Sequence, residues 1–417
     1  MSPAVVALAA LLLAIVLSFS SRLNVGIPAL GLAWLLGALT PGSKSEALAT
    51  AFPASLFLTL LGVTLLFAAA ESNGTLARLA ERAVGLVGGD RRLVPWMLFL
   101  LAGTVSAVGP GAVASVALVA PLAAPIAARL GLPAFLVAVS VANGANAGNL
   151  SPLSVVGIIA NSRMAEAGLA GHEAKAFAAN FLAHVVVTVV VYVLWLRRSE
   201  AMASPDPAKA PGAREPFERK HGATLAVLAA WTVGVIAFRL PVGYSALVAI
   251  MLLLALRAAD EAAALQRLPW GALLMVCGVA TLVALVEKAG GLELMSALIA
   301  RLSTPATVNG TVAFVTGLIS TWSSTSGVVL PAFLPTVPGL VERLGGGDPL
   351  AVSLSINVGS SLVDVSPLST LGALCISALA DPGTVRDLFR RLMAWGLSMT
   401  LVGALLCQLF AGWLARL

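Results

Sequence analysis

Two stretches place amides, hydroxyls, glycine and proline inside otherwise apolar runs. One is Val139–Asn161, VSVANGANAGNLSPLSVVGIIAN; the other is Val352–Leu374, VSLSINVGSSLVDVSPLSTLGAL. Proline removes a backbone donor and bars a helix from running smoothly through it, and glycine permits turns and close approach. In hydrocarbon, a broken helix survives only where it is packed in protein or lines a cavity. Each stretch therefore predicts two half-helices meeting at mid-membrane. Freed N–H groups at the start of the second half-helix suit a carboxylate, and freed C=O groups at the end of the first suit a cation. Asn146, Asn149, Ser151 and Pro152 in one copy, and Ser366, Pro367 and Ser369 in the other, are candidates for holding substrate. Asn143, Asn357, Ser360, Ser361 and Asp364 are candidates for a coupling cation. Taken singly, any of these small polar residues is equally well a contact between helices.

Asp364 stands apart as an acid between Leu362, Val363 and Val365. A charge at membrane depth is costly and marks a functional site by default. It is suited to binding Na⁺ or carrying a proton, and the first copy offers no acid in its place. Two further stretches read as hairpin tips. Ser106–Ser115 (SAVGPGAVAS) has almost no side chains, so Gly109 and Gly111 offer backbone contacts to substrate. Ser320–Gly327 (STWSSTSG) exposes a row of hydroxyls, with Ser323, Ser324 and Thr325 as substrate candidates beside Ser326. Ordinary polar turns are the plain alternative for either tip.

The surrounding sequence must hold these groups in a bilayer. Of 417 residues, 59% are hydrophobic and 11% charged, against about 25% charged in soluble domains. Mean hydropathy is +0.98. Apolar runs of about 17–25 residues match a ~30 Å hydrocarbon core. The net charge of +6 is scattered over short connections, as for cytosolic-side Arg and Lys, and forms no basic face for nucleic acid. Cys277, Cys375 and Cys407 lie in apolar segments without disulfide or zinc spacing. Met1–Phe19 lacks the basic start of a cleaved leader and reads as a first span.

The chain divides at a polar stretch. Residues 1–198 and 222–417 read as two transmembrane repeats, and 199–221 as a linker. VGIPAL (Val25–Leu30) answers VGYSAL (Val242–Leu247). Gly62, Glu71 and Gly74 answer Gly278, Glu287 and Gly290. Asn143 answers Asn357, and SPLSVVG answers SPLSTLG. Such repeats are the usual plan of secondary transporters, and matched breaks point to the substrate site. Spans are expected at Pro3–Ser20, Val25–Leu39, Leu56–Glu71, Leu93–Val108 and Phe177–Leu196, with an interfacial helix at Asn73–Gly89. In the second half they are expected at Val242–Leu256, Trp270–Val286, Val308–Thr321 and Trp395–Leu414. Hairpins occupy Pro110–Arg129 and Trp322–Val341. Thr224–Phe238 disturbs the count, because an extra span would change whether the second repeat is inverted.

The stretches FPASLFLTLLGVTLLFAAAESNGT (Phe52–Thr75), SAVGPGAVASVALVAPLA (Ser106–Ala123) and NAGNLSPLSVVG (Asn146–Gly157) resemble the malonate/dicarboxylate carrier family. That family sits within the ion-transporter superfamily that includes the divalent anion:sodium symporters. The resemblance implies an all-α polytopic membrane protein of about 11–12 spans. It implies two inverted repeats, each with a re-entrant hairpin and a discontinuous helix. It also implies a homodimer with elevator-like alternating access in a bacterial inner membrane. The related symporters carry Ser-Asn-Thr at each hairpin tip, whereas this chain has Gly109–Gly111 and Ser324–Ser326. Coupling to Na⁺ or to H⁺ therefore stays open.

The expected function is import of a small dicarboxylate, malonate, succinate or similar, coupled to a cation gradient. No cofactor is expected beyond Na⁺ as a coupling ion. A cation/proton antiporter or inorganic-anion exporter of the same superfamily is the alternative, favoured by Asp364. A membrane enzyme is disfavoured, since HExxH, GxSxG and paired acids at ligand spacing are all missing from the sequence.

Overall fold

The computed structural model describes residues 2–20, 24–39, 47–85, 90–199, 216–268, 270–321, 324–379 and 384–417. Ser323 and most of the expected linker, 200–215, lie outside the described residues. The first half contains α1 (Pro3–Ser20), α2 (Gly26–Leu39), α3 (Ala47–Ala51), α4 (Ala54–Ser72) and α5 (Thr75–Gly85). It continues through α6 (Val94–Val108), α7 (Gly111–Leu130), α8 (Ala134–Gly148), α9 (Val155–Glu166) and α10 (Glu173–Ser199). The second half contains α11 (Arg219–Phe238), α12 (Val242–Ala255), α13 (Glu261–Gln266), α14 (Trp270–Lys288), α15 (Gly291–Arg301) and α16 (Val308–Ser320). After it come a π-helical turn (Thr325–Val329), α17 (Leu330–Phe333), a 3₁₀ turn (Leu334–Thr336) and α18 (Val337–Leu344). Last are α19 (Pro349–Leu362), a 3₁₀ turn (Val363–Val365), α20 (Thr370–Leu379) and α21 (Val385–Arg416).

The protein is an all-α polytopic membrane protein with discontinuous helices. Among the described residues six helices are long and apolar enough to cross a bilayer, or seven if α14 and α15, bent by 87°, count as one broken span. Six further apolar helices have 10–17 residues. At roughly 1.5 Å per residue these reach less than the ~30 Å core. The anticipated 11–12 spans therefore included helices that do not cross on length alone. Large apolar side chains stay exposed, among them Leu397, Leu401, Leu405 and Leu409 on one stripe of α21, the face a lipid-bathed helix presents.

Thr224–Phe238 falls within α11, which precedes α12 as α1 precedes α2. It is thus the positional counterpart of α1 and does not upset the order of elements. Contacts are exchanged between halves in the same sense. Helix α2 packs on α14 while α12 packs on α4, and α1 packs on α15 while α11 packs on α5. At both main crossings a glycine meets backbone. A Cβ added to Gly26 would lie 2.1 Å from the Leu274 carbonyl oxygen, and one added to Gly62 would lie 2.4 Å from that of Gly243.

Local chemistry sets the boundaries. Asn73 ends α4 and donates 2.8 Å bonds to Thr224 Oγ1 and to the Ala258 carbonyl, fixing the α4–α5 bend against α11 and the end of α12. Arg78 pairs with Glu218 at 3.3 Å just before α11. Asp348 accepts from Leu350 N at 2.9 Å and starts α19, with Pro349 at the first helical position, where its missing N–H costs nothing. The segment Leu330–Leu344 is cut into short pieces by Pro331, Pro335 and Pro338, each near the start of a piece.

The hairpins differ from the expected boundaries. Ser115 Oγ donates to the Ala102 carbonyl at 2.6 Å, so α6 and α7 fold back on each other about Gly109–Pro110. Leu93–Val108, expected as a separate span, is the hairpin's first arm. In the second half α16 and the Thr325–Leu344 segment play the same parts, closed by contact of the Ser320 and Thr325 hydroxyls.

Candidate functional site

Both helix breaks are built alike. In the first, Ser151 Oγ accepts from Leu153 N at 3.3 Å, and Ser154 Oγ donates to the Asn149 carbonyl. In the second, Ser366 Oγ accepts from Leu368 N at 3.3 Å, and Ser369 Oγ donates to the Asp364 carbonyl. The glycine that follows takes part as well. A Cβ on Gly157 would lie 1.9 Å from Ser151 O, and one on Gly372 would lie 2.1 Å from Ser366 O. The SPLS motif is thus a loop device: its serines tie off backbone groups that the break exposes. This correspondence makes Asn149 the structural counterpart of Asp364.

Each counterpart reaches the hairpin tip of its own half. Asn149 Oδ1 accepts from Ala112 N at 3.3 Å. Gly111 (φ +80°) makes that turn, in a conformation that favours glycine. Val155 N, opening α9, donates to Gly109 O at 3.3 Å. In the second half Thr325 Oγ1 lies 2.8 Å from Asp364 Oδ2 and 3.1 Å from the Ser360 carbonyl, and Ser320 Oγ lies 3.4 Å from Asp364 Oδ1.

The two tips and two breaks meet around one cavity of about 260 Å³. Ala112 and Val113 come from the first tip, and Asn149 and Val156 from the first break. Ser324, Thr325 and Ser326 come from the second tip. Asp364, Leu368, Ser369, Thr370 and Leu371 come from the second break, and Met275 from α14. Thr370 and Leu371 form the first turn of α20, so its positive dipole end faces the cavity. Among the described residues the lining holds one carboxylate, several hydroxyls and no Lys or Arg. No group of three or more His, Cys, Asp or Glu side chains among them is placed to hold a metal ion.

Of the residues expected from sequence, Asn149, Ser324, Thr325, Asp364 and Ser369 line this cavity. Gly109 and Gly111 shape its first tip. Ser151, Pro152, Ser366 and Pro367 build the loops behind it, and the two serine hydroxyls are engaged there by backbone N–H groups. Asn143, Asn146, Asn357, Ser360 and Ser361 lie fully buried behind the cavity. Asn143 bonds Thr188 at 3.1 Å, Asn146 bonds the Ser361 carbonyl at 3.2 Å, and Ser360 Oγ bonds the Ile356 carbonyl at 2.7 Å. Sequence reasoning missed Asn180 and His184 on α10, both fully buried, although polar residues four apart in a spanning helix were a readable signal.

Thr325→Val keeps the shape but removes the donor to Asp364. Hydrogen bonds to charged groups contribute about 1.5–3 kcal/mol. The expected result is at least a roughly tenfold loss of affinity for a ligand bound at this cavity, at 1.4 kcal/mol per tenfold, restored by Thr325→Ser. Unchanged ligand affinity in Thr325→Val would show that the contact is structural only.

Residues 1–149 match the family described as dicarboxylate carrier protein MatC N-terminus. No curated protein matches the chain. Among solved structures, the Alcanivorax borkumensis YdaH transporter is similar over 99% of both chains, with a TM-score of 0.60 and 16% sequence identity. The chain is therefore a multi-pass membrane protein whose first 149 residues are similar to a dicarboxylate-carrier domain, on a fold shared with a known transporter.

Proposed function

We propose that this chain is a secondary transporter of small dicarboxylates, malonate, succinate or a similar acid, driven by a Na⁺ or H⁺ gradient. The observation that carries this reading is the meeting of both hairpin tips and both helix breaks around one cavity with a single carboxylate. A dianion held beside Asp364 is repelled unless a cation or proton neutralises that carboxylate. Without Arg or Lys among the described lining residues, the remaining recognition falls to hydroxyls and to the N-terminal turn of α20. Binding of substrate and cation is thereby linked, which is the requirement for symport. The similarity of residues 1–149 to dicarboxylate carriers supports the substrate class.

The two halves act as inverted repeats, a relation supported by their exchanged contacts. Helices α6–α10 and α16–α21 move as one body against a frame of α1–α5 and α11–α15, in a homodimer of a bacterial inner membrane. The deciding experiment is uptake of labelled malonate and succinate by purified protein in proteoliposomes, with Na⁺ and pH gradients imposed separately. Accumulation driven by either gradient is expected. No uptake of either acid under both gradients refutes the reading, and cation exchange without an organic anion would establish the antiporter alternative.

A further inference from the structure

A second polar cluster lies one helical turn behind the cavity, where α8, α10 and α19 pack together. Asn146 Nδ2 donates to the Ser361 carbonyl at 3.2 Å, linking α8 to α19. Asn180 Nδ2 donates to the Asn146 carbonyl at 2.6 Å, linking α10 to α8. His184 Nδ1 is 2.8 Å from the Asn180 carbonyl. A carbonyl only accepts, so the Asn180 contact puts a proton on Nδ1, and the ring also lies against the Ser361 carbonyl. All four residues are fully buried.

The amide donors of this ring are spent on backbone carbonyls, while its amide oxygens are not used and the Ser361 hydroxyl bonds nothing. Asn146 Oδ1, Asn180 Oδ1 and Ser361 Oγ have no hydrogen-bond partner, and neither does the nearby Asn143 Oδ1. Orphaned buried acceptors cost about 1–3 kcal/mol each, so several in one network point to a positively charged or donating occupant. The backbone reinforces this. Asn146 is in the last turn of α8 and Ser361 in the last turn of α19, so the negative ends of two helix dipoles meet here. No carboxylate belongs to the ring. A divalent hard cation relies on carboxylates, whereas a neutral oxygen cage at two helix ends suits a monovalent one.

We propose that the junction of α8, α10 and α19 is a monovalent cation site, taken by Na⁺ through the side-chain oxygens of Asn146, Asn180 and Ser361, separate from the Asp364 cavity. Asn146 and Ser361 precede Asn149 and Asp364 by three residues, close to one helical turn. A cation here ties α8 to α19 and fixes the spacing of the two breaks, so that its binding prepares the cavity. His184 holds the α10 side of the cage in place through the Asn180 carbonyl.

The test is thermal unfolding of the purified full-length protein in detergent, without substrate, against NaCl, KCl and choline chloride at equal ionic strength. Na⁺ is expected to raise the melting temperature in a saturable way that K⁺ and choline do not reproduce. Ser361→Ala and Asn180→Ala should each raise the Na⁺ concentration for half-effect about tenfold or more, as for loss of one ligand. Asp364→Asn should retain a Na⁺ response. Ser361→Ala removes only a hydroxyl that bonds nothing, so it keeps the test usable if Asn180→Ala does not fold. Absence of a Na⁺-specific shift in the wild type overturns the proposal. So does a shift that persists unchanged in Ser361→Ala but vanishes in Asp364→Asn, which would put Na⁺ in the cavity and leave only water at the junction. No transport is measured, so failure here leaves the dicarboxylate reading standing, and absence of malonate uptake leaves this site standing.

Discussion

Asp364→Asn is expected to cut gradient-driven uptake at least tenfold while leaving the protein folded. The carboxylate is held by Thr325 Oγ1 at 2.8 Å and approached by Ser320 Oγ at 3.4 Å. An amide oxygen in the same place still accepts from Thr325, though more weakly than a carboxylate, and the shape is unchanged, so the local fold survives. The change removes a unit of charge. Two unit charges 4 Å apart interact by about 4 kcal/mol at an effective dielectric of 20. Loss of most of that is on the order of a thousandfold in cation affinity. The two coupling modes then separate. If Na⁺ neutralises Asp364, the variant's Na⁺ dependence weakens to what the α8–α10–α19 junction confers, and its response to pH is kept. If a proton does so, the variant's uptake becomes flat with pH and no longer follows ΔpH. Reconstituted flux measured against Na⁺ and pH distinguishes these. Wild-type dependence on both ions, with unchanged apparent affinity, would reduce Asp364 to a hydrogen-bonded contact between helices.

The breaks were readable because their cause is local. Proline and glycine inside an apolar run stop a helix whatever surrounds it, and α8 ends at Gly148 and α19 at Leu362 just before the SPLS motifs. What those motifs do was less readable. Ser151 and Ser366 look like ligands in sequence, and each hydroxyl also accepts from the N–H two residues on. That backbone role is set by loop geometry, which residue types do not encode. Pairings across distance were hidden too. The Ser115–Ala102 bond joins residues on opposite arms of a hairpin, and the arms read separately as a span and a hairpin. Helix α11 matches α1 in place and not in residues, so self-comparison of the sequence passes over it. Asn180 and His184 interrupt an apolar span without proline or glycine; Asn180 finds its partner on α8, and His184 bonds the Asn180 carbonyl one turn back on α10 itself.

The crossings of α2 with α14 and of α4 with α12 carry the second large expected effect. A Cβ on Gly26 would stand 2.1 Å from Leu274 O and 2.6 Å from Met275 N, and one on Gly278 would stand 2.3 Å from Gly26 O. Each obstacle is backbone, so no side chain can rotate away, and the helices must part. Small residues at such crossings are what lets membrane helices approach closely. Forcing extra carbon into a packed interface costs typically 1–3 kcal/mol, and blocked backbone on both sides places these positions at the upper end. Gly26→Ala and Gly278→Ala should therefore lower the melting temperature and the yield of folded protein, and Gly26→Val should abolish folding. Gly31→Ala on the same helix is the control: nothing lies within 4 Å of its Cβ, so it should be neutral or slightly stabilising. The exchanged crossing must behave alike. A Cβ on Gly243 would lie 2.2 Å from the Thr59 Cα, and one on Gly62 would lie 2.4 Å from Gly243 O. Alanine at either position is expected to cost as much as at Gly26 or Gly278. Melting curves of the four alanine variants and Gly31→Ala decide the matter. A tolerant Gly26 would show that α2 and α14 do not pack this closely, and sensitivity at only one crossing would show that the two halves do not use equivalent contacts.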